Sequence, residues 1–255
     1  MDWIYVSPHL DDAILSCGGI LFEQIRMGDQ AAIWTLFAGD PPEGALPPFA
    51  QTLHERWQLG SDAAANRRNE DIAACQQIGA SFVHFNNPDC IYRRFSNTGL
   101  PVINAEEDLF PNEHPAEEDL IHLISAQIES ALKDHFNFNL CLPMSIGGHV
   151  DHQITRLALE KTDFDLYFYA DYPYLLKPET RKRQWLLPGW QQIQYKISNP
   201  GLEHWKRAIA QYQSQLSTFW SNLDEMEHEI EQYAAQEFSH SLWLDQRTKD
   251  KEMAD

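Results

Sequence analysis

The chain has 255 residues and a formal net charge of −19, from 38 acidic and 19 basic side chains. Hydrophobic residues make up 43% of it, which is enough for a large core and excludes a disordered chain. Such a negative surface repels phosphate backbones, so we expect no nucleic-acid partner. No apolar run reaches membrane-spanning length and the first residues lack the features of a signal peptide, so we expect a cytoplasmic protein with no membrane partner.

Predicted strands and helices alternate along the chain. Short apolar runs predict strands at 3–7, 31–38, 81–85, 138–143 and 166–170. Helical spacing predicts helices at 12–27, 61–78, 115–133 and 149–161. Residues 39–60 and 86–113 are predicted to be long irregular segments, and segments of that length are usually functional or mobile. The alternation predicts an α/β fold, a Rossmann-like doubly wound, mostly parallel sheet with flanking helices.

The last part of the chain is predicted to be helical. Helical spacing continues over residues 202–233, with few turn signals to interrupt it. We therefore expect one domain over residues 1–255, with a core of about 1–170 and a C-terminal helical extension of about 200–240. We expect this extension to pack on the sheet or to form a helical hairpin.

The first segment with chemical potential is Pro8–Asp12, directly after the first predicted strand. It places His9 and two adjacent carboxylates, Asp11 and Asp12, in a strand-to-helix turn. Imidazole nitrogens and carboxylate oxygens are both suitable zinc ligands. Adjacent residues point in different directions, so one aspartate can bind a cation while the other faces a substrate. Helix capping would account for one aspartate, but not for His9 or for the second acid.

A second such segment, Gly147–His152, follows the predicted strand that ends at Pro143. His149 and His152 are three residues apart and share one face of a helical turn, with Asp151 between them. Both segments lie at the carboxyl ends of strands, so a parallel sheet can bring them to one crevice. Three protein ligands with a fourth position open are typical of a catalytic zinc site, although iron or cobalt could use the same ligands.

Together the two segments resemble the LmbE-like family, which includes the GlcNAc-PI de-N-acetylases (PIG-L) and the deacetylases of thiol biosynthesis and antibiotic tailoring. The family signature is a His-Pro-Asp-Asp turn with a later His-x-Asp-His, and its order and spacing match this chain. The resemblance covers most of the chain and includes further positions: Arg67, Glu70, Ala74, Gly79, Asp89, Lys206, Ser214 and Gln215. It implies a zinc-dependent hydrolase that removes an N-acyl group, first of all N-acetyl, from a sugar or sugar conjugate.

The family pattern also implies which residues bind the metal. His9, Asp12 and His152 would be the zinc ligands, with another divalent transition metal as an alternative. The metal would lower the pKa of a bound water from 15.7 to about 7 and so prepare it to attack the amide. The expected partner is a small molecule, an N-acetylated sugar, and the oligomeric state stays open.

The remaining roles implied by the resemblance concern proton transfer and substrate contact. Asp11 would be the general base for the attacking water. His149 would stabilise the oxyanion or protonate the leaving amine, and Asp151 would orient a histidine. Arg67 and Asp89 would contact the substrate.

The sequence departs from the family pattern at several positions. Leu10 and Val150 replace the usual prolines of the two motifs. Gly147 and Gly148 stand where a tyrosine would precede His149, so a tyrosine that binds the oxyanion would have to come from elsewhere. Candidates lie in one later segment, where packing around a strand end is the alternative role: Tyr169, Tyr172 and Tyr174.

Other functions compete with N-deacetylation. The same chemistry could serve an amidase that acts on a larger, non-acetyl conjugate. A non-catalytic metal- or ligand-binding domain is disfavoured, because binding a cation would not need the free carboxylate of Asp11. A nucleotide-binding enzyme is disfavoured as well, since no Gly-x-Gly-x-x-Gly follows the first strand. The sequence does not define the acyl group or the specific substrate.

Overall fold

Seven strands form one sheet within residues 2–111, 117–177, 180 and 189–245, which the computed structural model describes. The strands are β1 (Asp2–Ser7), β2 (Gln30–Thr35), β3 (Ser81–His84), β4 (Phe138–Pro143), β5 (Leu166–Tyr169), β6 (Trp190–Gln194) and β7 (Ser241–Asp245). The α-helices in this part of the chain are α1 (Asp12–Arg26), α2 (Pro48–Arg56), α3 (Ala63–Ile78), α4 (Glu118–Leu132), α5 (Val150–Leu159), α6 (Asn199–Ile209), α7 (Gln213–Phe219) and α8 (Leu223–Ala234).

The sheet is mostly parallel, which confirms the predicted Rossmann-like α/β fold. Its strand order is β3-β2-β1-β4-β5-β7-β6, and the first five strands run parallel. β7 is antiparallel to both of its neighbours, β5 and β6. Strand β1 lies between β2 and β4, so the chain order reverses there. In an open α/β sheet such a switch point is where ligands bind, outside the carboxyl ends of the strands.

The core is centred on β1 and α1. The residues Trp3–Val6 of β1 are buried, as expected for a central parallel strand. Helix α1 approaches α6 closely because Gly18 leaves room for the indole of Trp205, and any side chain at Gly18 would collide with that ring. The indole nitrogen of Trp205 donates a hydrogen bond of 2.6 Å to the carbonyl oxygen of Ile14. Helix α6 of the C-terminal region therefore packs directly on α1, the helix that begins with Asp12.

One predicted loop contains a helix. Residues 39–60 were expected to be irregular because of their four prolines, but α2 occupies Pro48–Arg56. Proline is favoured in the first turn of a helix, where its missing N–H would have no partner, so Pro48 starts this helix instead of preventing it. Residues 86–111 are irregular apart from two short 3-10 helices, Cys90–Tyr92 and Glu106–Leu109.

The predicted helix at 61–78 is α3, whose start differs from the prediction and whose end at Ile78 confirms it. Ser61 was expected to start the helix, but α3 begins at Ala63, and Asp62 precedes it without a side-chain capping bond. Gly79 ends the helix in a left-handed conformation with a φ of 84°. A residue with a Cβ is strained there, and glycine is not. The predicted helix at 115–133 is α4, and its predicted start at Pro115 lies outside the described residues.

The C-terminal region is more varied than its helical spacing indicates. The stretch 202–233 is divided among α6, α7 and α8 instead of forming one long helix. Two strands, β6 and β7, extend the sheet beyond β5, and the sequence pattern did not predict them. In the described part of the chain, none of the helices combines the length and hydrophobicity needed to cross a bilayer.

Candidate active site and metal centre

Three side chains from the two motifs meet at the carboxyl ends of β1 and β4. Oδ2 of Asp12 lies 3.2 Å from Nδ1 of His9 and 3.2 Å from Nε2 of His152. His9 follows β1, Asp12 begins α1, and His152 lies in the first turn of α5. The two nitrogens and the oxygen all lie within 4.8 Å of one another. The fold therefore brings together the three residues that were expected to bind a metal.

In His9 and His152, the ring nitrogen that is not beside Asp12 lies next to a buried carboxylate. Nε2 of His9 lies 3.0 Å from Oδ2 of Asp151, and Nδ1 of His152 lies 2.6 Å from Oδ1 of Asp171. A carboxylate only accepts hydrogen bonds, so each of these nitrogens carries a proton. Each imidazole then has its other nitrogen available beside Asp12, which is the usual arrangement around a metal-binding histidine.

The donors fit a divalent cation. Nε2 of His152 is buried and has no hydrogen-bond partner among the described residues, although Asp12 is close to it. Burial opposes a charge on His152, but Asp12 and then Asp171 outweigh it and raise its pKa to about 9. The site between the three side chains therefore favours a positive charge, whether a proton or a cation. Two imidazole nitrogens and a carboxylate oxygen suit zinc and several other divalent transition metals.

Asp11 lies beside the triad formed by His9, Asp12 and His152, but its carboxylate has different neighbours. It precedes α1 without making a side-chain capping bond, so helix capping does not account for it. Its Oδ2 lies 3.8 Å from a terminal guanidinium nitrogen of Arg67. Burial and the neighbouring Asp12 raise the pKa of Asp11 to about 7, and Arg67 opposes this shift. A carboxylate in this setting can accept and return a proton near neutral pH.

Asp151 is fully buried and connects His9 to a further pair of charged residues. Its Oδ1 accepts a bond of 2.6 Å from Arg93, and its Oδ2 accepts one of 3.1 Å from the backbone N–H of Cys90. Arg93 in turn donates two bonds, of 2.8 and 2.9 Å, to the carboxylate of Glu117. Burial opposes the charge of Asp151, but Arg93 and His9 keep its pKa well below the usual value. The orientation of His9 is thus fixed by a connected set of ionic hydrogen bonds.

His149 stands next to the triad and precedes α5. Its ring centroid lies 4.9 Å from that of His9 and 5.3 Å from that of His152. Its Nδ1 accepts a hydrogen bond of 3.3 Å from the backbone N–H of Asp151, so its proton is on Nε2. Burial, followed by the nearby His9 and His152, lowers the pKa of His149 well below its usual value. The neutral ring is therefore a hydrogen-bond donor through Nε2.

Arg67 and Asp89 line a pocket with a volume of about 300 Å³, and His9, Asp11 and Asp12 line it too. The Arg67 guanidinium lies 3.6 Å from the Asp89 carboxylate and 4.8 Å from the ring centroid of Trp57. Asp89 also accepts a hydrogen bond of 3.2 Å from the backbone of Ile91. The Nε of Arg67 is buried without a hydrogen-bond partner in the described structure. Both residues expected to contact the substrate are therefore at the pocket surface.

Comparison with known proteins identifies the family. The profile described as PIG-L, GlcNAc-PI de-N-acetylase, matches residues 4–162. The chain belongs to the PIG-L family. A 2′-N-acetylparomamine deacetylase from Niallia circulans is 28% identical over 233 residues, which cover 84% of this chain and 80% of that protein. The chain is thus an N-deacetylase, and its triad supports a metal cofactor.

Solved structures of deacetylases have the same fold as this PIG-L family member. The zinc-inhibited form of teicoplanin deacetylase has a TM-score of 0.78 and 25% identity, and the match covers 96% of this chain and 97% of that one. The deacetylase of an antimicrobial pseudoaglycone has a TM-score of 0.73 and 27% identity, with coverages of 94% and 95%. Both matches cover more of the chain than the family profile, which ends at residue 162, and so include most of the C-terminal region.

Several residues around the PIG-L site were not singled out from the sequence. Asp171 follows β5, the strand next to β4, and that position at the carboxyl end of a strand is the signal that could have identified it. Arg93 gave no such signal, because an arginine in an irregular segment is usually exposed. The pocket also has an apolar wall, a group of seven side chains: Phe49, Leu53, Trp57, Ile91, Leu109, Phe110 and Phe219.

Proposed function

We propose that this chain removes an N-acyl group, first of all N-acetyl, from a sugar or sugar conjugate, with zinc as the cofactor. The observation that carries the proposal is the convergence of His9, Asp12 and His152 on one point beside the carboxylate of Asp11. Membership of the PIG-L family and the similarity to the 2′-N-acetylparomamine deacetylase support a sugar substrate. A small molecule of this kind fits the pocket of about 300 Å³.

His9, Asp12 and His152 would hold the zinc ion, which acts as a Lewis acid and lowers the pKa of a water to about 7. Asp11 accepts a proton from the attacking water while the water oxygen bonds to the amide carbonyl carbon. Its raised pKa suits this role, because the carboxylate can later release the same proton. A divalent cation next to Asp11 would lower that pKa and favour the base form before the attack.

Collapse of the tetrahedral adduct breaks the C–N bond. The nitrogen needs a proton as it leaves, because an amine anion is a very poor leaving group. Asp11 delivers the proton it took from the water, and the products are a carboxylic acid and a primary amine. The neutral His149 donates a hydrogen bond to the negatively charged oxygen of the adduct. Arg67 and Asp89, which line the pocket, orient the remainder of the substrate.

The apolar wall supports a second candidate function, an amidase that acts on a larger conjugate. Phe49, Phe110 and Phe219 are only half-buried and line the same pocket as His9 and Asp12. A bare N-acetyl sugar presents mostly hydroxyl groups and would leave much of this surface in contact with water. A conjugate with an aromatic or alkyl portion would cover it and gain binding energy.

The test is primary-amine release from a panel of N-acyl sugars and sugar conjugates, measured with and without a metal chelator. The proposal predicts release from N-acetylated members, loss of release after chelation, and recovery on addition of zinc. Higher kcat/KM with long acyl chains than with acetyl would favour the amidase. Release that is unaffected by chelation would contradict the metal-dependent mechanism.

A further inference from the structure

The pocket has a buried end and an exposed end. Asp11, Asp12 and His149 line its reaction end and are buried, whereas Arg56 and Lys177 also line the pocket but are exposed. A conjugate whose N-acyl group lies at the buried end must extend towards the exposed end. We propose that Lys177 binds an anionic group, a carboxylate or a phosphate, on the non-sugar part of such a conjugate. This inference rests on the proposed removal of an N-acyl group from a sugar conjugate.

Two aromatic rings contact the ammonium group of Lys177 at the exposed end of the pocket. Its Nζ lies 4.9 Å from the ring centroid of Phe110 and 5.2 Å from that of Tyr174. The face of an aromatic ring attracts a cation, so both contacts restrict a side chain that is otherwise flexible. A restricted lysine loses less conformational freedom when it binds an anion, and this favours binding.

The same two rings connect Lys177 with the reaction end of the pocket. The ring centroid of Phe110 lies 5.6 Å from that of His149, and the ring centroid of Tyr174 lies 5.4 Å from that of His152. An aryl group attached to a sugar at the reaction end can therefore lie along the apolar wall, with a substituent close to Lys177. The wall would cover the apolar portion of the conjugate, and the lysine would bind its charge.

Lys177 differs from the two arginines that line the pocket in its charge partners. Arg67 lies 3.6 Å from Asp89, and Arg56 lies 3.9 Å from Glu106. Within the described part of the chain, the ammonium group of Lys177 contacts aromatic rings and forms no ion pair with a carboxylate. Its positive charge is therefore available to a bound anion, whereas Glu106 already offsets the charge of Arg56.

The charge of the whole chain explains why an anionic substrate would need such a contact. The net charge of −19 repels an anion at long range. Salt screens that repulsion beyond about 10 Å at 0.1 M ionic strength, whereas an ion pair with Lys177 acts at contact distance. Selection of an anionic conjugate would thus depend on this one local charge, and changing the charge should change the selection.

The first test compares two aryl N-acetylglucosaminides of nearly equal shape, one with a para-carboxyphenyl group and one with a neutral para-carbamoylphenyl group. For the wild type, we expect KM to be about three- to tenfold lower for the carboxylate, because a partly exposed, charge-assisted contact contributes that much. The kcat values should agree within about twofold, because this contact is equally strong in the ground state and the transition state.

Three variants show whether Lys177 causes this difference in KM. Lys177→Gln should bring the two KM values within about twofold of each other, because it removes the charge. Lys161→Gln, at an exposed position outside the pocket, should retain the wild-type ratio. Arg56→Gln should reduce the ratio less than Lys177→Gln does, because Glu106 already offsets the charge of Arg56. An unchanged ratio in Lys177→Gln would overturn the inference.

Charge reversal provides a test whose result loss of folding cannot imitate. Lys177→Glu should prefer a conjugate with a cationic para-(aminomethyl)phenyl group, with a KM about three- to tenfold lower than for the carboxylate, and the wild type should show the reverse order. A KM that stays lower for the carboxylate in Lys177→Glu would exclude this lysine as the anion contact. A fourth conjugate, with a para-phosphonophenyl group, distinguishes the two anions, because the preferred anion gives the lower KM.

The outcomes separate this inference from the proposed function. If the wild type releases amine from the charged and the neutral conjugate with equal KM, Lys177 does not select anions, while the proposed function stands. Release from N-acetylglucosamine but from none of the aryl conjugates leads to the same conclusion. If the wild type releases no amine from any member of the panel, both the proposed function and the role of Lys177 are wrong.

Discussion

The triad proposed to bind a metal and the apolar wall lie at one pocket, which His9 and Asp12 of the triad line, but they are held in place in different ways. In the triad, His9 and His152 are each fixed by a hydrogen bond of 3.0 Å or less to a buried carboxylate. The wall comes from α2, α7 and the irregular segments between them, and Phe49 and Phe219 in it are half-buried. Its contacts are apolar and have no preferred direction.

This difference separates the chemistry from the choice of substrate. Directional hydrogen bonds fix the two histidines of the triad within a narrow range of positions, which reaction geometry requires. The wall can accept different groups, because apolar contact depends on covered area more than on orientation. Changes in the triad should therefore abolish hydrolysis of every substrate. Changes in the wall should alter KM for some substrates and leave others unaffected.

The largest effect is expected from His152→Ala, which removes one of the three proposed metal ligands. The metal should be lost, and kcat/KM should fall by at least about 10³-fold, because the Lewis acid contributes several kcal/mol to transition-state stabilisation. Elemental analysis gives the zinc-to-protein ratio, and His122→Ala, an exposed histidine on α4, is the control. An unchanged ratio in His152→Ala would remove this residue from the ligand set.

Asp11→Asn should separate metal binding from catalysis. The amide cannot accept a proton from water, so kcat should fall by about 10² to 10⁴-fold while the zinc content stays at the wild-type level. Asp119→Asn, an exposed position in the first turn of α4, makes the same change of charge away from the site. Full turnover by metal-loaded Asp11→Asn would exclude Asp11 as the general base.

Asp171→Asn tests whether the hydrogen bond between His152 and a buried carboxylate fixes the orientation of that histidine. The amide has no negative charge to hold the N–H of His152, and we expect zinc affinity to fall by about 10- to 100-fold. Competition with a chromophoric chelator measures this affinity without reference to activity. The exposed Asp163 provides the control substitution, Asp163→Asn. Wild-type affinity in Asp171→Asn would mean that packing alone orients His152.

The smallest effect is expected from Phe219→Ala in the apolar wall. Loss of its contact with an apolar conjugate costs about 1 kcal/mol, which raises KM roughly fivefold. For N-acetylglucosamine the change should stay below about twofold. The control is Phe136→Ala, which is 82% exposed and does not line the pocket. Equal changes for both substrates would show that the wall does not discriminate between them.

Much of the site was predictable because it follows the strands of the parallel sheet. His9 and Asp12 lie directly after β1, and His152 lies shortly after β4, so strand order alone brings them to one crevice. The central strands were predictable for a related reason. They are largely buried and mostly apolar, as in 138–143, where the predicted and observed bounds coincide.

Other elements and residues could not be predicted, because no local sequence pattern indicates the contacts that form them. Strand β6 is mostly polar and lies at the sheet edge, so its residues show no apolar run. Helix α2 was not predicted because prolines usually indicate a loop, although Pro48 begins this helix. Arg93 is buried only because Asp151 and Glu117, which are distant in sequence, neutralise it. The division into a core of about 1–170 and a helical extension of about 200–240 stays a prediction.

The most direct test of the central claim is a crystal structure of the zinc-loaded protein with anomalous diffraction data collected at the zinc absorption edge. We predict one strong anomalous peak about 2.0–2.2 Å from Nδ1 of His9, a carboxylate oxygen of Asp12 and Nε2 of His152. The carboxylate of Asp11 should lie outside this bonding distance. A catalytically active, zinc-loaded crystal with no peak between these three side chains would contradict the account.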